Sequence, residues 1–309
     1  MVSAALKLEP IPVRAPSERR TEIMLRDVGM QYCPERGLSK TVLSDINLEI
    51  AAGEFVVILG ETGCGKSTLL RLILGQEFPT TGSVIVDGKP VTRIDARCGY
   101  VPQKYSLFPD RSVLDNVLYG PENARSNFFG RLRPSFYRER RALRIEAEAF
   151  LKRMGLHSQD LSKYPHQLSG GMQQRVAIAQ ALLMKPPVLL MDEAFSALDP
   201  STRSSLQEQL HRVWTESRPT VIFVTHNTTE AVLMGTRLIL LGRHRDDNAT
   251  RKSLLLDMQI QTARLPFAAR RKSSEFQQLR EYVAELAHKS TSICNEEASL
   301  ESPAEGNLG

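Results

Sequence analysis

An eight-residue loop near the start of the chain has the residue types and spacing that bind phosphate groups. Residues 60–67 read Gly-Glu-Thr-Gly-Cys-Gly-Lys-Ser and satisfy the pattern G-x-x-x-x-G-K-[ST]. Glycines let backbone N–H groups wrap phosphates, Lys66 neutralises charge on the outer phosphates, and Ser67 offers a hydroxyl to Mg²⁺. The pattern predicts a nucleotide site formed by Gly60, Glu61, Thr62, Gly63, Cys64, Gly65, Lys66, Ser67 and Thr68.

Two adjacent acids further along the chain supply the groups that phosphate chemistry needs. Asp192 and Glu193 follow the apolar run Val188–Met191. A carboxylate at a strand end can hold the magnesium shell, and a second one turned toward the nucleotide can take a proton from water. Asp192 is predicted to bind Mg²⁺ and Glu193 to act as the general base. Such a pair can also cap a helix, but the phosphate loop upstream favours catalysis.

Three apolar runs resemble buried parallel strands, and each of them ends in polar residues. Phe55–Leu59 leads into the phosphate loop, Val188–Met191 into the two acids, and Val221–Val224 into Thr225 and His226. Continuous apolar runs are typical of strands buried on both faces. Since ligands bind at the carboxyl ends of strands in open α/β sheets, these residues are expected to meet at one edge.

Other patterns surround this predicted sheet. Residues 22–54 alternate as antiparallel strands do. The stretch 104–184 is mainly helical, with strong periodicity in 139–154 and 172–183. The fold class is therefore predicted as α/β, with a parallel-sheet core that binds phosphate, an N-terminal antiparallel β-subdomain and an inserted helical subdomain.

The ends of the chain have a different character from its centre. A strand is predicted at Leu254–Ile260 and an amphipathic helix at Glu275–His288, with Ser274 as the first residue of a capping box. Acid-rich, poorly apolar sequence then predicts disorder. The predicted parts are a flexible lead at 1–21, a nucleotide-binding domain at 22–241, a C-terminal extension at 242–289 and a disordered tail at 290–309.

Composition sets limits on the class of protein. With 309 residues, of which 41% are hydrophobic, the chain can bury a core. The net charge of +5 would suit nucleic acid or a membrane surface, but the basic excess is concentrated in 125–144. No run approaches the roughly 20 apolar residues that span a bilayer, and no secretion signal is visible, so a cytoplasmic location is expected. The cysteines are predicted to be reduced thiols, and Cys64, in the phosphate loop, to be a small residue that happens to be reactive.

Residues 22–241 resemble the ATP-binding subunit of ABC transporters. Besides the phosphate loop and the acid pair, residues 168–175 read Leu-Ser-Gly-Gly-Met-Gln-Gln-Arg, as in that family's signature. The resemblance implies that Tyr32 stacks on adenine, that Gln103 senses Mg²⁺ and the attacking water, and that His226 contacts the γ-phosphate. Together the motifs and the resemblance give Lys66, Gln103, Glu193 and His226 as predicted catalytic residues and Ser67, Gln103 and Asp192 as predicted magnesium ligands.

Some of these assignments have plainer alternatives. Tyr32 can be an ordinary strand aromatic, Gln103 a loop residue and His226 a structural histidine. Asn227 departs from the family, which usually has an acid at this position. Little effect on hydrolysis is expected from that difference.

The resemblance also implies an assembly. Two copies would meet head to tail, with each ATP held between the phosphate loop of one copy and Ser169, Gly170 and Gly171 of the other. The segment 196–199, ending in Asp199, would touch the opposite site. ATP binding would close the pair and hydrolysis would release it. Further implied partners are separate transmembrane permease subunits and, through them, a solute-binding protein, at the cytoplasmic face of the inner membrane; no nucleic acid is expected.

Import is the favoured direction of transport. Residues 164–168, Tyr-Pro-His-Gln-Leu, match the importer style, and no membrane span is fused to the chain. The stretch after residue 241 is too short for the regulatory domains of sugar importers. Its features at 264–266, 270–271 and 274–276 resemble the nitrate, sulfonate and taurine importer group, which suggests a small anion as cargo. The alternatives are an exporter ATPase and an ABC ATPase without a transport role.

The basic segment 125–144 departs from the compact family pattern and is interpreted as an insertion. It interleaves arginines with aromatic residues. It is either a solvated helix face or a surface directed at anionic headgroups or a permease loop.

Overall fold

The structure, a computed structural model, describes residues 20–33, 39–94, 97–104, 106–125, 134–243 and 253–300. Two sheets organise these residues. The first is antiparallel and has the strand order β2-β1-β4-β5. Its strands are β1 (Thr21–Tyr32), β2 (Lys40–Ala51), β4 (Thr81–Val86) and β5 (Lys89–Pro90).

The second sheet has six strands in the order β10-β9-β3-β8-β7-β6. All neighbours pair in parallel except β10, which runs antiparallel to β9. The strands are β3 (Phe55–Gly60), β6 (Cys98–Val101), β7 (Val188–Asp192), β8 (Thr220–Thr225), β9 (Arg237–Leu241) and β10 (Leu254–Gln259). This is the predicted α/β arrangement, with antiparallel strands preceding a parallel sheet.

Both faces of the parallel sheet are covered, which explains the uninterrupted apolar runs. Phe55, Val57 and Leu59 of β3 belong to a core cluster on one face, whereas Val56 and Ile58 belong to a second cluster on the other. Successive side chains of a strand point to opposite faces, so both sets must be apolar. The covering helices are α1 (Lys66–Leu74), α2 (Val113–Arg125), α3 (Pro134–Arg153), α4 (Gly170–Leu183), α5 (Pro200–Ser217) and α6 (Thr228–Met234).

The C-terminal extension packs on the core as β10, α7 (Phe267–Arg270) and α8 (Ser274–Leu300). Arg270 of α7 is only 2% exposed and connects α7 to the core. Its guanidinium donates to the carbonyl oxygens of Leu233 (2.8 Å), Ala263 (2.9 Å) and Leu265 (3.2 Å). Since Leu233 lies in α6, this buried cation ties the extension to the parallel-sheet domain.

One sequence-based expectation about α8 is wrong. The Phe276 N–H donates to Ser273 Oγ at 3.2 Å, so Ser273 caps the helix in place of Ser274. The helix extends to Leu300, and no glycine or proline occurs between His288 and Leu300. The disorder expected at 290–309 stays a prediction. Residues 301–309 and most of the predicted N-terminal lead lie outside the described residues.

The basic segment is described only in part, because residues 126–133 lie outside the described ranges. On α3, Arg140 pairs with Glu122 at 2.7 Å and Arg144 with Glu148 at 3.0 Å. These pairs suit a solvated helix face. In the described part of the chain, no helix combines the length and the apolar character needed to cross a membrane.

Candidate functional site

The phosphate loop joins the carboxyl end of β3 to α1, and its glycines have structural reasons to be there. Gly63 and Gly65 have φ values of 85° and 97°, a region that side chains disfavour. A Cβ on Gly65 would also lie 2.6 Å from Leu43 Cδ2. Because no side chain caps the first turn of α1, its backbone N–H groups are available to an anion.

Lys66 lies inside the loop and is 5% exposed. Its ammonium donates to the carbonyl oxygens of Gly60 (2.8 Å) and Glu61 (2.6 Å). A buried charge needs such partners. The loop therefore holds a positive charge at its centre, on contacts that phosphate oxygens can replace.

Cys64 does not have the reactivity expected from the sequence. Its side chain is fully buried, and burial raises the pKa of the thiol despite the nearby Lys66 ammonium. Since the thiolate is the reactive form, Cys64 is a small packing residue. A Cβ on Gly60 would lie 2.6 Å from its sulfur, so the two positions constrain each other.

Asp192, at the end of β7, meets Ser67, the first residue after Lys66. The Ser67 hydroxyl donates to Asp192 Oδ1 at 3.1 Å. Burial raises the pKa of the Asp192 carboxyl, and the charge of Glu193 adds to the effect. The Ser67 hydroxyl and the Asp192 carboxylate, whose negative charge is not fully compensated, both offer the hard oxygen atoms that bind Mg²⁺. The described residues contain no cluster of three or more His, Cys, Asp and Glu ligands, so the remaining ligands would come from phosphate and water.

Glu193 is the centre of a cluster that joins three strand ends. Its Oε2 atom accepts from Gln103 Nε2 at 2.9 Å, and its Oε1 atom lies 3.2 Å from His226 Nδ1. The residue has a φ of 44°, in the left-handed region, and its N–H donates to Val224 O at 3.0 Å. Such backbone strain costs about 1–3 kcal/mol and clusters at functional sites. The structure thus brings together three of the four predicted catalytic residues.

A buried network lies behind His226. The Glu230 carboxylate accepts from Thr225 Oγ1 at 2.7 Å, and burial raises its pKa. The Asn227 side chain accepts from the Glu230 N–H at 3.1 Å and thereby caps α6. Asn227, at the position where the family usually has an acid, therefore has a structural role. The network orients the turn that carries His226.

Tyr32 lies near the loop, at the end of β1. Its hydroxyl donates to Glu77 and accepts from Arg71 at 3.4 Å. Arg71 in turn donates to Thr68 Oγ1 at 3.2 Å. The predicted adenine-stacking residue is therefore linked to the last residue of the predicted nucleotide site by one side chain.

Two residues of the signature segment, Ser169 and Gly170, are exposed, as is Asp199. Ser169 caps α4, where its Oγ accepts from the Met172 N–H at 3.3 Å. Asp199 caps α5, and bonds from Ser201 and Thr202 lower the pKa of its carboxyl. A Cβ on Gly171 would lie 2.5 Å from Thr202 Cγ2, so the two segments adjoin. Among the described residues, no hydrogen bond joins Ser169, Gly170 or Gly171 to the phosphate loop of the same copy.

Sequence analysis missed one contributor to this region. A cavity of about 450 Å³ beside the phosphate loop is lined by Gly60, His226 and, from α8, Ala284, Ala287 and His288. The only signal in the sequence was a pair of small residues on one face of an amphipathic helix. The C-terminal extension therefore borders the predicted nucleotide site.

Comparisons with known proteins agree with this geometry. The family model described as "ABC transporter" matches residues 43–196. The nitrate import ATP-binding protein NrtD of Synechococcus elongatus is 40% identical over 69% of this chain and 74% of that protein. The spermidine/putrescine import ATP-binding protein PotA of Haemophilus ducreyi is 39% identical over 76% and 60%. The aliphatic sulfonates import ATP-binding protein SsuB of Bacillus cereus is 33% identical over 84% and 94%.

A solved structure is also similar. It is the dimeric post-hydrolysis state of an ATP-binding cassette bound to ADP and Pi, with a TM-score of 0.63 and 32% identity over 77% of this chain and 99% of that chain. The resemblance seen in the motifs and the predicted fold are both confirmed. The chain belongs to the ABC transporter family, as an ATP-binding subunit and an ATP hydrolase coupled to transport.

Proposed function

We propose that this chain hydrolyses ATP at the Glu193 cluster as one half of a homodimer that powers an importer of small anions. The observation that carries the catalytic part is that one oxygen of Glu193 accepts from Gln103 and the other lies 3.2 Å from His226 Nδ1. A base must be oriented before its proton-transfer step. With a side chain of the predicted site beside each of its oxygens, Glu193 is positioned to take a proton from the attacking water.

The other site residues bind and orient the nucleotide. The Lys66 ammonium exchanges the Gly60 and Glu61 carbonyls for phosphate oxygens. Ser67 and Asp192 would hold Mg²⁺, which would supply positive charge to the phosphates. Tyr32 stacks on adenine, His226 contacts the γ-phosphate, and Gln103 positions the water beside the base. The chain's contribution is thus positioning and charge neutralisation.

The assembly follows from the surface on which the signature residues lie. Ser169, Gly170 and Asp199 are exposed, and among the described residues no hydrogen bond joins Ser169 or Gly170 to the phosphate loop of their own copy. A second copy placed head to tail would receive them at its own loop. The dimeric cassette bound to ADP and Pi supports this arrangement.

The importer role and its anionic cargo rest on relatives and on the C-terminal extension. The nitrate and sulfonate import proteins are relatives of this chain, and the C-terminal extension has the features seen in that group. PotA, named for polyamine import, is nearly as similar as NrtD, so the ATPase itself carries little information on cargo. Separate permease subunits at the cytoplasmic face of the inner membrane, with a solute-binding protein, would choose the solute.

The permease would dock beside Gln103. The loop after Gln103 is held by Asn116, a fully buried side chain whose amide bonds the backbone of Phe108, Arg111 and Ser112. Because this segment follows Gln103 along the chain and Gln103 bonds Glu193, contact with a permease here would reach the base. An exporter ATPase would use the same contacts.

Glu193→Gln tests the catalytic role. ATP binding should remain, hydrolysis should fall by at least about 100-fold, and the variant should form an ATP-dependent dimer detectable by light scattering. Glu208→Gln, an exposed change on α5, is the matched control and should retain activity. Normal turnover by Glu193→Gln would remove Glu193 as the base.

Proteins recovered with the tagged chain from native membranes test the transport role. Mass spectrometry should find a polytopic permease and a solute receptor. Recovery of the chain alone, or with nucleic acid, would favour an ABC ATPase without a transport role.

A further inference from the structure

A series of side-chain contacts leads from the C-terminal extension to the turn that carries His226. Arg271, the residue directly after α7, donates to Gln207 Oε1 of α5 at 2.9 Å. The Gln207 amide, which is 1% exposed, donates from Nε2 to Glu230 Oε1 at 3.3 Å. Glu230 in turn accepts from Thr225, the residue before His226. The extension is therefore joined to this turn by hydrogen bonds.

The chemistry of these groups fixes the orientation of the buried amide. A guanidinium can only donate and an ionised carboxylate can only accept, so Gln207 must turn its oxygen to Arg271 and its nitrogen to Glu230. Burial raises the pKa of the Glu230 carboxyl, and its ionised form therefore depends on the donors around it. Without Arg271 the Gln207 amide is no longer held in the orientation that serves Glu230.

A second branch of this network reaches the segment 196–199, which is predicted to touch the opposite copy. Arg203 of α5 donates from Nη2 to Leu198 O at 2.8 Å, and its Nε atom lies 3.6 Å from Glu230 Oε1. The second distance is too long for a hydrogen bond, and Arg203 Nε has no hydrogen-bond partner among the described residues. A small movement of the segment that carries Leu198 can bring this donor onto Glu230. Glu230 is thus reached through one side chain from either the extension or the segment 196–199.

We propose that Arg271 is a positioning residue for ATP hydrolysis: through Gln207 and Glu230, the C-terminal extension holds the turn of His226 in its productive orientation. The inference rests on the proposed role of His226. The described bonds of the Arg271 guanidinium go to Ser204 and Gln207 of α5, and neither residue belongs to the predicted nucleotide site. The extension therefore sets the rate of hydrolysis from outside the site, and its displacement lowers turnover.

Steady-state ATP hydrolysis by the full chain tests the proposal. Arg271→Ala should lower kcat by about 3- to 30-fold, as expected of a substitution along a coupled network, and should leave KM for ATP unchanged. Lys272→Ala removes the same charge from the next residue, which is also exposed, and as the matched control it should keep the wild-type kcat. Thermal denaturation should show that both variants are folded.

A double-mutant cycle tests the route through the amide. Gln207→Leu keeps the approximate shape of the side chain and removes both of its hydrogen bonds, so it should also lower kcat, and adding Arg271→Ala should cause no further loss. Additive losses in the double variant, equal kcat in Arg271→Ala and Lys272→Ala, or a rise in KM alone would overturn the proposal. The comparison of the two single variants remains decisive if Gln207→Leu does not fold. A wild-type chain that hydrolyses no ATP would instead overturn the proposed function, on which this inference depends.

Discussion

Acid should weaken the attachment of the C-terminal extension to the core through His211. The His211 Nε2 atom lies 3.1 Å from Arg270 Nη2, so a neutral ring accepts from the guanidinium and a protonated ring would face a like charge. The ring also lies against Phe267 of α7, with centroids 4.5 Å apart. Burial, followed by the charges of Arg270 and Arg218, lowers the pKa of His211 from 6.5 to about 4.

The sign of the pH effect follows from this lowered pKa. As the pH falls from 6.5 to about 4, the unfolded chain takes up a proton at His211 that the folded chain does not. The free energy of unfolding therefore falls through this window. At about 1.36 kcal/mol per pKa unit the full shift corresponds to about 3 kcal/mol, and we expect about 2 kcal/mol because solvent screens the partly exposed ring.

Urea denaturation of the wild type and of His211→Gln measures this contribution. Between about pH 7.5 and about pH 4.5, the stability of the variant relative to the wild type should rise by about 2 kcal/mol, since glutamine does not titrate. His166→Gln, a change at an exposed ring, serves as the control. Parallel pH profiles of the wild type and His211→Gln would refute the linkage between His211 and the extension.

Three other perturbations test the nucleotide site. Asp192→Asn should abolish Mg²⁺-dependent ATP binding. It should also stabilise the nucleotide-free chain at neutral pH, because burial raises the pKa of the Asp192 carboxyl and its ionised form destabilises the fold. The rise in melting temperature should vanish as the pH falls toward the ordinary pKa of Asp. Gly65→Ala should cost more than about 2 kcal/mol, since its Cβ would meet Leu43 and its φ is 97°. Gly88→Ala, at φ 71° with nothing within 4 Å, should cost about 1 kcal/mol in the same assay. Maleimide should label the exposed Cys33 rapidly and the buried Cys64 only upon unfolding; rapid labelling of both in the folded chain would contradict the burial of Cys64.

The sequence alone predicts that Glu193 and His226 lie at the same edge of the parallel sheet. Apolar runs mark buried strands, and the carboxyl ends of parallel strands must meet, so Glu193 and His226 could be placed together from order alone. Gln103 came from the family resemblance, and the structure places it against the same carboxylate. The residue roles themselves remain predictions.

Other features depend on contacts that order along the chain does not reveal. Either of two adjacent serines could cap α8, and Ser273 is selected by where α7 ends. The burial of Cys64 depends on the packing of the loop against β9, because the Gly60 position also approaches Leu241 O. The approach of Ala287 to the phosphate loop is likewise a matter of how α8 packs on α6.

The ammonium bound to its own loop has a consequence for selectivity among anions. The Lys66 ammonium has three N–H donors, and two of them are held by the Gly60 and Glu61 carbonyls. To give a ligand more than the third, Lys66 must release those carbonyls, and hydrogen bonds to charged groups contribute about 1.5–3 kcal/mol each. A triphosphate offers many oxygens and the full set of loop N–H groups in return, whereas free inorganic phosphate offers few. We therefore expect the loop to bind free inorganic phosphate weakly. It should exchange its internal hydrogen bonds only for a ligand with enough phosphate oxygens to replace them.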